Sequence, residues 1–149
     1  MNLELLNRQP AQPSRVTPIL FVHGAACGAW CWSEHFLPYF AEKGYKSYAL
    51  SLRGHAGSTG RGRLQWASIM DYVEDVAQAV SYLGCEPILV GHSMGGLVVQ
   101  HYLGTHTAPA AVLMASLPHT GLTWRRASPV LRQVMSGGMH SPTGARAGC

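Results

Sequence analysis

The strongest indication of the fold is the segment Leu89-Val-Gly-His-Ser-Met-Gly-Gly-Leu97. It begins in a short apolar run, Pro87–Val90, which is typical of a buried strand. It continues into a pattern that predicts a helix from about Met94 to Leu103, with Gly104 at its end. A strand that passes directly into a helix needs a sharp turn, and Ser93 stands at the apex of this one.

Two glycines flank Ser93, and their positions indicate why the turn is possible. A Cβ at Gly91 or Gly95 would collide with the neighbouring element, so both positions favour glycine. The turn is predicted to hold the Ser93 hydroxyl clear of the sheet, and the helix that follows favours negative charge at its N-terminus. A phosphate-binding loop is a poorer interpretation, because the Gly-Lys-Ser/Thr ending is missing.

The rest of the chain supplies the other layers of an α/β fold. Continuous apolar runs predict strands buried on both faces of a parallel sheet, and these runs are Ile19–Val22, Tyr48–Leu52, Pro87–Val90 and Ala111–Ala115. Residues Leu3–Leu6 predict a weak edge strand. Helices are predicted at Pro38–Gly44 and Ser68–Gly84, with Ser68 as N-cap of the second. The predicted fold class is α/β, a three-layer arrangement with a parallel sheet between flanking helices.

Length and composition indicate one globular domain. The chain has 149 residues, of which 47% are apolar and 12% are charged, and its net charge is +4. We expect residues 1–121 to form the core, and residues 122–149 to be the start of a lid or an irregular tail. The arginines after Glu86 are scattered and no aromatic-rich signature accompanies them, so a nucleic-acid partner is not expected.

The same sequence argues against several other classes of protein. Cys27 and Cys31 have no second pair at zinc spacing, so no metal site is expected. No signal-peptide pattern opens the chain and no apolar run approaches the ~20 residues that span a bilayer. We therefore expect a cytoplasmic protein with free thiols and without a membrane span.

Three motifs in the right order resemble the α/β-hydrolase superfamily over about Thr17 to Leu117. Two of them are Gly-His-Ser-Met-Gly-Gly at Gly91–Gly96 and Phe-Val-His-Gly at Phe21–Gly24. The stretch from His23 to Trp32 is similar to the esterase and hydroxynitrile-lyase-like branch. The third motif, Arg-Gly-His-Ala-Gly-Ser, begins at Arg53, although Ser51 stands where the family usually has an aspartate. The resemblance implies an incomplete α/β-hydrolase fold, because the family has two further strands that this sequence does not predict.

The resemblance implies acyl transfer through a serine. Ser93 would be the nucleophile, and the backbone N–H groups of Met94 and Ala25 would form the oxyanion hole. His23 and Gly24 would shape the loop that carries Ala25, with His23 orienting it by hydrogen bonding. His92 is expected to be structural, like the flanking Gly91 and Gly95. The substrate would be a small ester-like molecule, and no cofactor is implied.

The activating half of the catalytic machinery is not evident. The family's chain order is serine, then an acid, then histidine, yet no Asp or Glu follows Ser93. Of the later histidines, His119 is the candidate base, because it follows the fourth buried run. His101 is eight residues into the helix and is expected to point away from Ser93. His106 and His140 lie beyond that helix.

Two explanations remain open for the missing half. The chain is either a truncated or frame-shifted hydrolase, with weak or absent turnover, or a non-catalytic binding or regulatory module on a hydrolase scaffold. A hydroxynitrile-type lyase would need the same missing base. We further expect the last predicted strand to be an exposed sheet edge, through which the chain self-associates.

Overall fold

The computed structural model describes residues 1–118. Within them the chain forms five strands, four α-helices and one 3₁₀ helix. The predicted boundary at residue 121, the predicted lid or tail at 122–149 and the candidate base His119 lie outside the described residues.

The strands form one sheet in the order β1-β3-β2-β4-β5. Their bounds are β1 Leu5–Arg8, β2 Ile19–Val22, β3 Ser47–Leu50, β4 Ile88–His92 and β5 Ala111–Met114. Strands β2 to β5 are parallel, as the continuous apolar runs predicted. Strand β1 pairs antiparallel with β3, with Leu5 opposite Leu50 and Arg8 opposite Ser47. The four strands predicted from the apolar runs are thus parallel, and the edge strand β1, whose direction was not predicted, makes the sheet mixed.

Helices cover both faces of the sheet, which gives the predicted three layers. Their bounds are α1 Trp30–Ser33, α2 Phe36–Glu42, α3 Ile69–Leu83 and α4 Met94–Leu103, with the 3₁₀ helix at Arg61–Trp66. The sequence did not indicate α1 or the 3₁₀ helix. The predicted start of α2 at Pro38 is wrong by two residues, since the helix begins at Phe36. Gly44 follows that helix with φ +86°, a conformation that favours glycine.

Helix α3 begins and ends as its sequence predicts. The Ser68 hydroxyl accepts from the Asp71 backbone N–H, and the Asp71 carboxylate accepts from the Ser68 N–H in return. This reciprocal capping satisfies two donors that the first helical turn leaves without partners. Gly84 closes the helix with φ +67°. Val73 and Val76 are buried on the inner face, as expected.

Two apolar clusters lie between the layers, one on each face of the sheet. One joins β2, β3 and β4 to α3 and α4, and its fully buried members include Leu20, Leu50 and Leu89. The other lies on the opposite face under α1 and α2, and includes Phe21, Trp32 and Leu37. Because successive residues of a strand point to opposite faces, a continuous run such as Ile19–Val22 contributes to both clusters.

The topology places a crevice between β2 and β4. Strand β3 follows β2 on one side of it, whereas β4 lies on the other side. This reversal of strand order is a switch point, and ligands of open α/β sheets bind there, outside the carboxyl ends of the strands. The two segments that leave these carboxyl ends are His23–Gly24 and Ser93–Met94.

Strand β5 lies at an edge of the sheet in the described part of the chain. Val112 is 49% exposed and Leu113 is 45% exposed, so apolar side chains are accessible on both faces of this strand. An apolar edge of this kind is a site for pairing with another strand. Self-association through it stays a prediction.

Candidate active site

Ser93 occupies a strained backbone conformation between β4 and α4. Its φ is +51° and its ψ is −115°, a region that side-chain-bearing residues rarely adopt. Four hydrogen bonds hold it there. The Ser93 N–H donates to the Met114 carbonyl at 3.0 Å, and the Ser93 carbonyl accepts from Gly96, Leu97 and Leu117. The predicted sharp turn is thus present, and both β5 and the segment that follows β5 support it.

The flanking glycines are places where the backbones approach too closely for a side chain. A Cβ at Gly91 would lie 2.5 Å from the Gly95 carbonyl oxygen. A Cβ at Gly95 would overlap the carbonyl oxygens of Val22 and His23. Helix α4 therefore begins directly against the end of β2, which is the close packing that the sequence predicted.

Replacing Gly95 with alanine is expected to destabilise the fold by about 3 kcal/mol, since overpacking against backbone atoms cannot be relieved by a side-chain rotation. Gly62 provides the matched control, because a Cβ there meets no atom within 4 Å. Urea unfolding followed by circular dichroism measures both variants. Equal midpoints for Gly95→Ala and Gly62→Ala would contradict the close approach of α4 to β2.

The turn after β2 lies against Ser93. A Cβ built on Gly24 would be 3.2 Å from the Ser93 Cβ and 3.0 Å from Nδ1 of His92. The absence of a Cβ at Gly24 therefore lets the two turns meet at the switch point. The structure thus brings the predicted residue Gly24 against His92 and Ser93, which lie about 70 positions later in the chain.

Two backbone N–H groups next to this contact have no acceptor within residues 1–118. They belong to Ala25, which follows Gly24, and to Met94, which is the first residue of α4. The first N–H groups of a helix lack intrahelical partners, and the helix dipole adds partial positive charge there. Ala25, Ser93 and Met94 are all partly exposed. Both N–H groups are therefore available to an anionic oxygen.

His23 is buried and fixed as a neutral side chain. Its Nε2 accepts from the Leu52 backbone N–H at 3.0 Å, which leaves Nδ1 to donate to the Gly24 carbonyl at 2.7 Å. Burial lowers the pKa of His23 to about 4, with His55 also opposing its charge. The His23 ring, 4.9 Å from the His55 ring, thus links the turn after β2 to the end of β3.

Three further histidines within residues 1–118 lie on the segment after β3, in helix α4 or after that helix. His55 is buried between His23 and Tyr72, and its Nδ1 contacts the Arg53 carbonyl. His106 stacks on Tyr102 beyond the far end of α4, about 15 Å along the helix from Ser93. His101 lies in the last turn of α4.

Sequence reasoning named Arg53 and Ser51 as motif positions but missed the carboxylates that bind them. Arg53 is bound by Asp71, Glu74 and Asp75 of α3, whose spacing of three and four residues along the helix was the available signal. These partners hold the pKa of Arg53 above its usual value although burial opposes this. Glu4 contacts the buried Ser51 across 47 positions, and no local pattern indicates that pair.

No group of three His, Cys, Asp or Glu side chains within residues 1–118 is arranged to hold a metal ion. Nor is any helix of the same residues both long and apolar enough to cross a membrane.

Comparison with known families agrees with this geometry. The model of the alpha/beta hydrolase family matches residues 19–147, which is most of the chain. The chain therefore belongs to the alpha/beta hydrolase family.

Similar curated proteins include enzymes that act on different substrates. A non-heme haloperoxidase from Rhodococcus erythropolis is 35% identical over 106 residues, covering 68% of this chain and 37% of that protein. Methyl jasmonate esterase 1 from Vitis vinifera is 39% identical over 82 residues, covering 54% of this chain and 31% of that protein. The chain spans about a third of the length of the curated relatives it matches.

Solved structures show the same fold. A carboxylesterase structure from Nitrososphaera gargenis has a TM-score of 0.75 at 18% identity, and the match covers 97% of this chain and 56% of that one. An esterase from a Rhodococcus species has a TM-score of 0.65 at 30% identity, covering 77% of this chain and 42% of that one.

Proposed function

We propose that this chain carries the nucleophile half of a serine hydrolase that cleaves carboxylic esters of small molecules. The observation that carries the proposal is the conformation of Ser93. A backbone φ of +51° costs free energy and persists only because β5 and α4 hold it. Such strain is typical of a strand-to-helix turn that projects a serine hydroxyl to where a substrate carbonyl can reach it.

The oxyanion donors in this proposal are Ala25 and Met94. Attack by the Ser93 Oγ on an ester carbonyl converts the carbonyl oxygen into an oxyanion. Two preorganised N–H groups stabilise that charge, and the loss of one such donor typically costs about 3 kcal/mol. The close contact between Gly24 and Ser93 supports this assignment, because it puts Ala25 next to the nucleophile turn.

His23, Gly24, Gly91, His92 and Gly95 have supporting roles in this proposal. His23 stays neutral at pH 7 and donates to the Gly24 carbonyl, so it orients the loop without taking part in proton transfer. Gly91 and Gly95 let the turn form, and Gly24 lets the two loops meet. His92 packs beside Gly24 and helps to wall the crevice.

Activation of Ser93 is the step for which the 149 residues provide the fewest groups. Proton removal from a serine hydroxyl needs a base, and the base needs an orienting acid. His119 remains the proposed base, and no Asp or Glu follows Ser93 to orient it. We therefore propose that ester turnover by this chain is slow.

The names of the relatives support an ester as the substrate. Esterase or methylesterase occurs in the names of the grape protein and of three similar Arabidopsis thaliana proteins. A hydrolase of pyrethroids is also similar, at 31% identity over 111 residues. The names of those relatives give pyrethroid and haloperoxidase activities to them alone. For this chain we propose only the hydrolysis of esters.

Hydrolysis of p-nitrophenyl acetate tests the proposal. The chain is expected to release p-nitrophenol slowly above the buffer rate, and Ser93→Ala is expected to remove that excess. Ser81→Ala on the exposed face of α3 is the matched control and is expected to keep it. Hydrolysis that survives Ser93→Ala contradicts the role of Ser93. Rapid turnover that depends on Ser93 contradicts the claim of incomplete activation.

A further inference from the structure

We propose that Glu4 and Ser51 are positioning residues for the loop Gly24–Gly28, which leads from β2 to α1 and carries Ala25. The inference rests on the proposed function, because it concerns the loop that holds one proposed oxyanion donor. Glu4 and Ser51 form a chain of two hydrogen bonds, which connects a carboxylate at the edge of the sheet to the far end of this loop.

Ser51 is the inner member of this chain. It directly follows β3, and its side chain is fully buried. Its Oγ accepts from the Ala29 backbone N–H at 2.8 Å and donates to Oε2 of Glu4 at 2.5 Å. Ala29 is itself buried and immediately precedes α1. The hydroxyl thus connects the start of α1 to the residue that precedes β1.

Glu4 is held in place independently of its carboxylate. Its backbone N–H donates to the Ser58 Oγ at 2.8 Å, and its carbonyl accepts from the Ser51 N–H at 2.9 Å. The carboxylate also accepts from the Gly57 N–H at 3.2 Å. A Cβ at Gly57 would lie 2.5 Å from Oε1 of Glu4, so a glycine is needed for this approach.

The charge on Glu4 determines the direction of the Ser51 hydroxyl. A hydroxyl has one proton to donate, and an ionised carboxylate accepts hydrogen bonds without donating any. The Ser51 proton therefore points to Glu4, and the oxygen lone pairs face the Ala29 N–H. A hydrogen bond to an ionised group is about twice as strong as a neutral one. Glu4 therefore fixes the orientation of the Ser51 hydroxyl, which would otherwise rotate about its C–O bond.

The loop Gly24–Gly28 contains a strained residue and is anchored at both ends. Ala26 adopts φ +60°, which is strained for a residue with a side chain. His23 and the Gly24 carbonyl fix the beginning of the loop. The Ala29 N–H bond to Ser51 fixes its end, and Gly28 packs where a Cβ would meet Ala56 at 2.5 Å. Ala25 and Ala26 are therefore held between two anchored ends.

Amide hydrogen exchange tests the positioning without any catalytic readout. Ser51→Ala and Glu4→Ala are expected to speed exchange of the Ala29 amide about tenfold, as the loss of one charge-assisted hydrogen bond implies. Glu4→Gln keeps an acceptor oxygen and is expected to restore part of the protection. Glu42→Ala on exposed α2 is the charge-removal control and is expected to match the unmodified chain. Unchanged Ala29 exchange, or an equal rise throughout α3, overturns the inference.

The rate of Ser93 modification by a fluorophosphonate provides the second readout. Glu4→Ala and Ser51→Ala are each expected to slow it about tenfold, and the double variant is expected to be no slower than either one, since both act through one chain of hydrogen bonds. Additive losses, or wild-type rates in both variants, overturn the positioning role. If the unmodified chain forms no adduct, the proposed function fails, while the exchange of Ala29 still decides whether Glu4 and Ser51 hold the loop.

Discussion

Replacing Asp75 with alanine is expected to lower the free energy of unfolding by about 3 to 5 kcal/mol, the usual cost of removing one partner of a buried ion pair. Asp75 lies on α3 and is fully buried. Its Oδ1 accepts from Nε of Arg53 at 2.9 Å, and its Oδ2 accepts from the Arg53 backbone N–H at 2.8 Å. The variant leaves the Arg53 guanidinium, whose side chain is only 17% exposed, without this partner.

Glu74 provides a matched control on the same helix. It also pairs with Arg53, at 3.2 Å, but its side chain is 74% exposed. Exposed pairs contribute little, so Glu74→Ala is expected to change the free energy of unfolding by less than about 1 kcal/mol. Urea unfolding with a common m-value compares the two variants. Similar losses for Asp75→Ala and Glu74→Ala would show that burial does not determine the strength of the Arg53 contacts.

Much of the fold could be predicted because its signals are local. Each continuous apolar run was predicted to be a strand, and each run overlaps one of β2 to β5. The capping residues Ser68 and Asp71 are three positions apart, so the start of α3 was readable from a few neighbouring residues. The turn at Ser93 was likewise predicted from the glycines next to it, and its backbone angles agree.

The features that the sequence did not predict depend on contacts between distant parts of the chain. Strand β1 was expected at the edge, but its antiparallel pairing depends on where β3 lies. Burial of the Asp75 carboxylate follows from the approach of Arg53, 22 positions earlier. The hydrogen bond from Ser51 to Glu4 has no periodic or motif signal at all.

Modification of Ser93 by a fluorophosphonate is the second large effect that we expect. The reagent is expected to add one phosphonyl group to Ser93, because the strained turn exposes this hydroxyl beside two available N–H groups. In the proposed function, these groups would stabilise the charge that develops on the phosphonyl oxygen, as they would for an ester. Since no Asp or Glu follows Ser93 within the 149 residues, we expect the adduct to form over hours rather than seconds.

Ser93→Ala removes only the hydroxyl, so it is expected to abolish the adduct completely. The fold is expected to be kept, because the hydrogen bonds of Ser93 within the described residues use its backbone N–H and carbonyl. Ser81→Ala removes a hydroxyl from exposed α3 and is expected to react like the unmodified chain. Circular dichroism of all three proteins checks that the loss of reaction is not a loss of structure.

Mass spectrometry of the fluorophosphonate-treated chain tests whether Ser93 is the nucleophile. A single added phosphonyl group is expected, located on the peptide that contains Ser93 and absent from folded Ser93→Ala. An adduct that persists in Ser93→Ala, or a folded unmodified chain that gains no phosphonyl group, would contradict the assignment of Ser93 as the nucleophile.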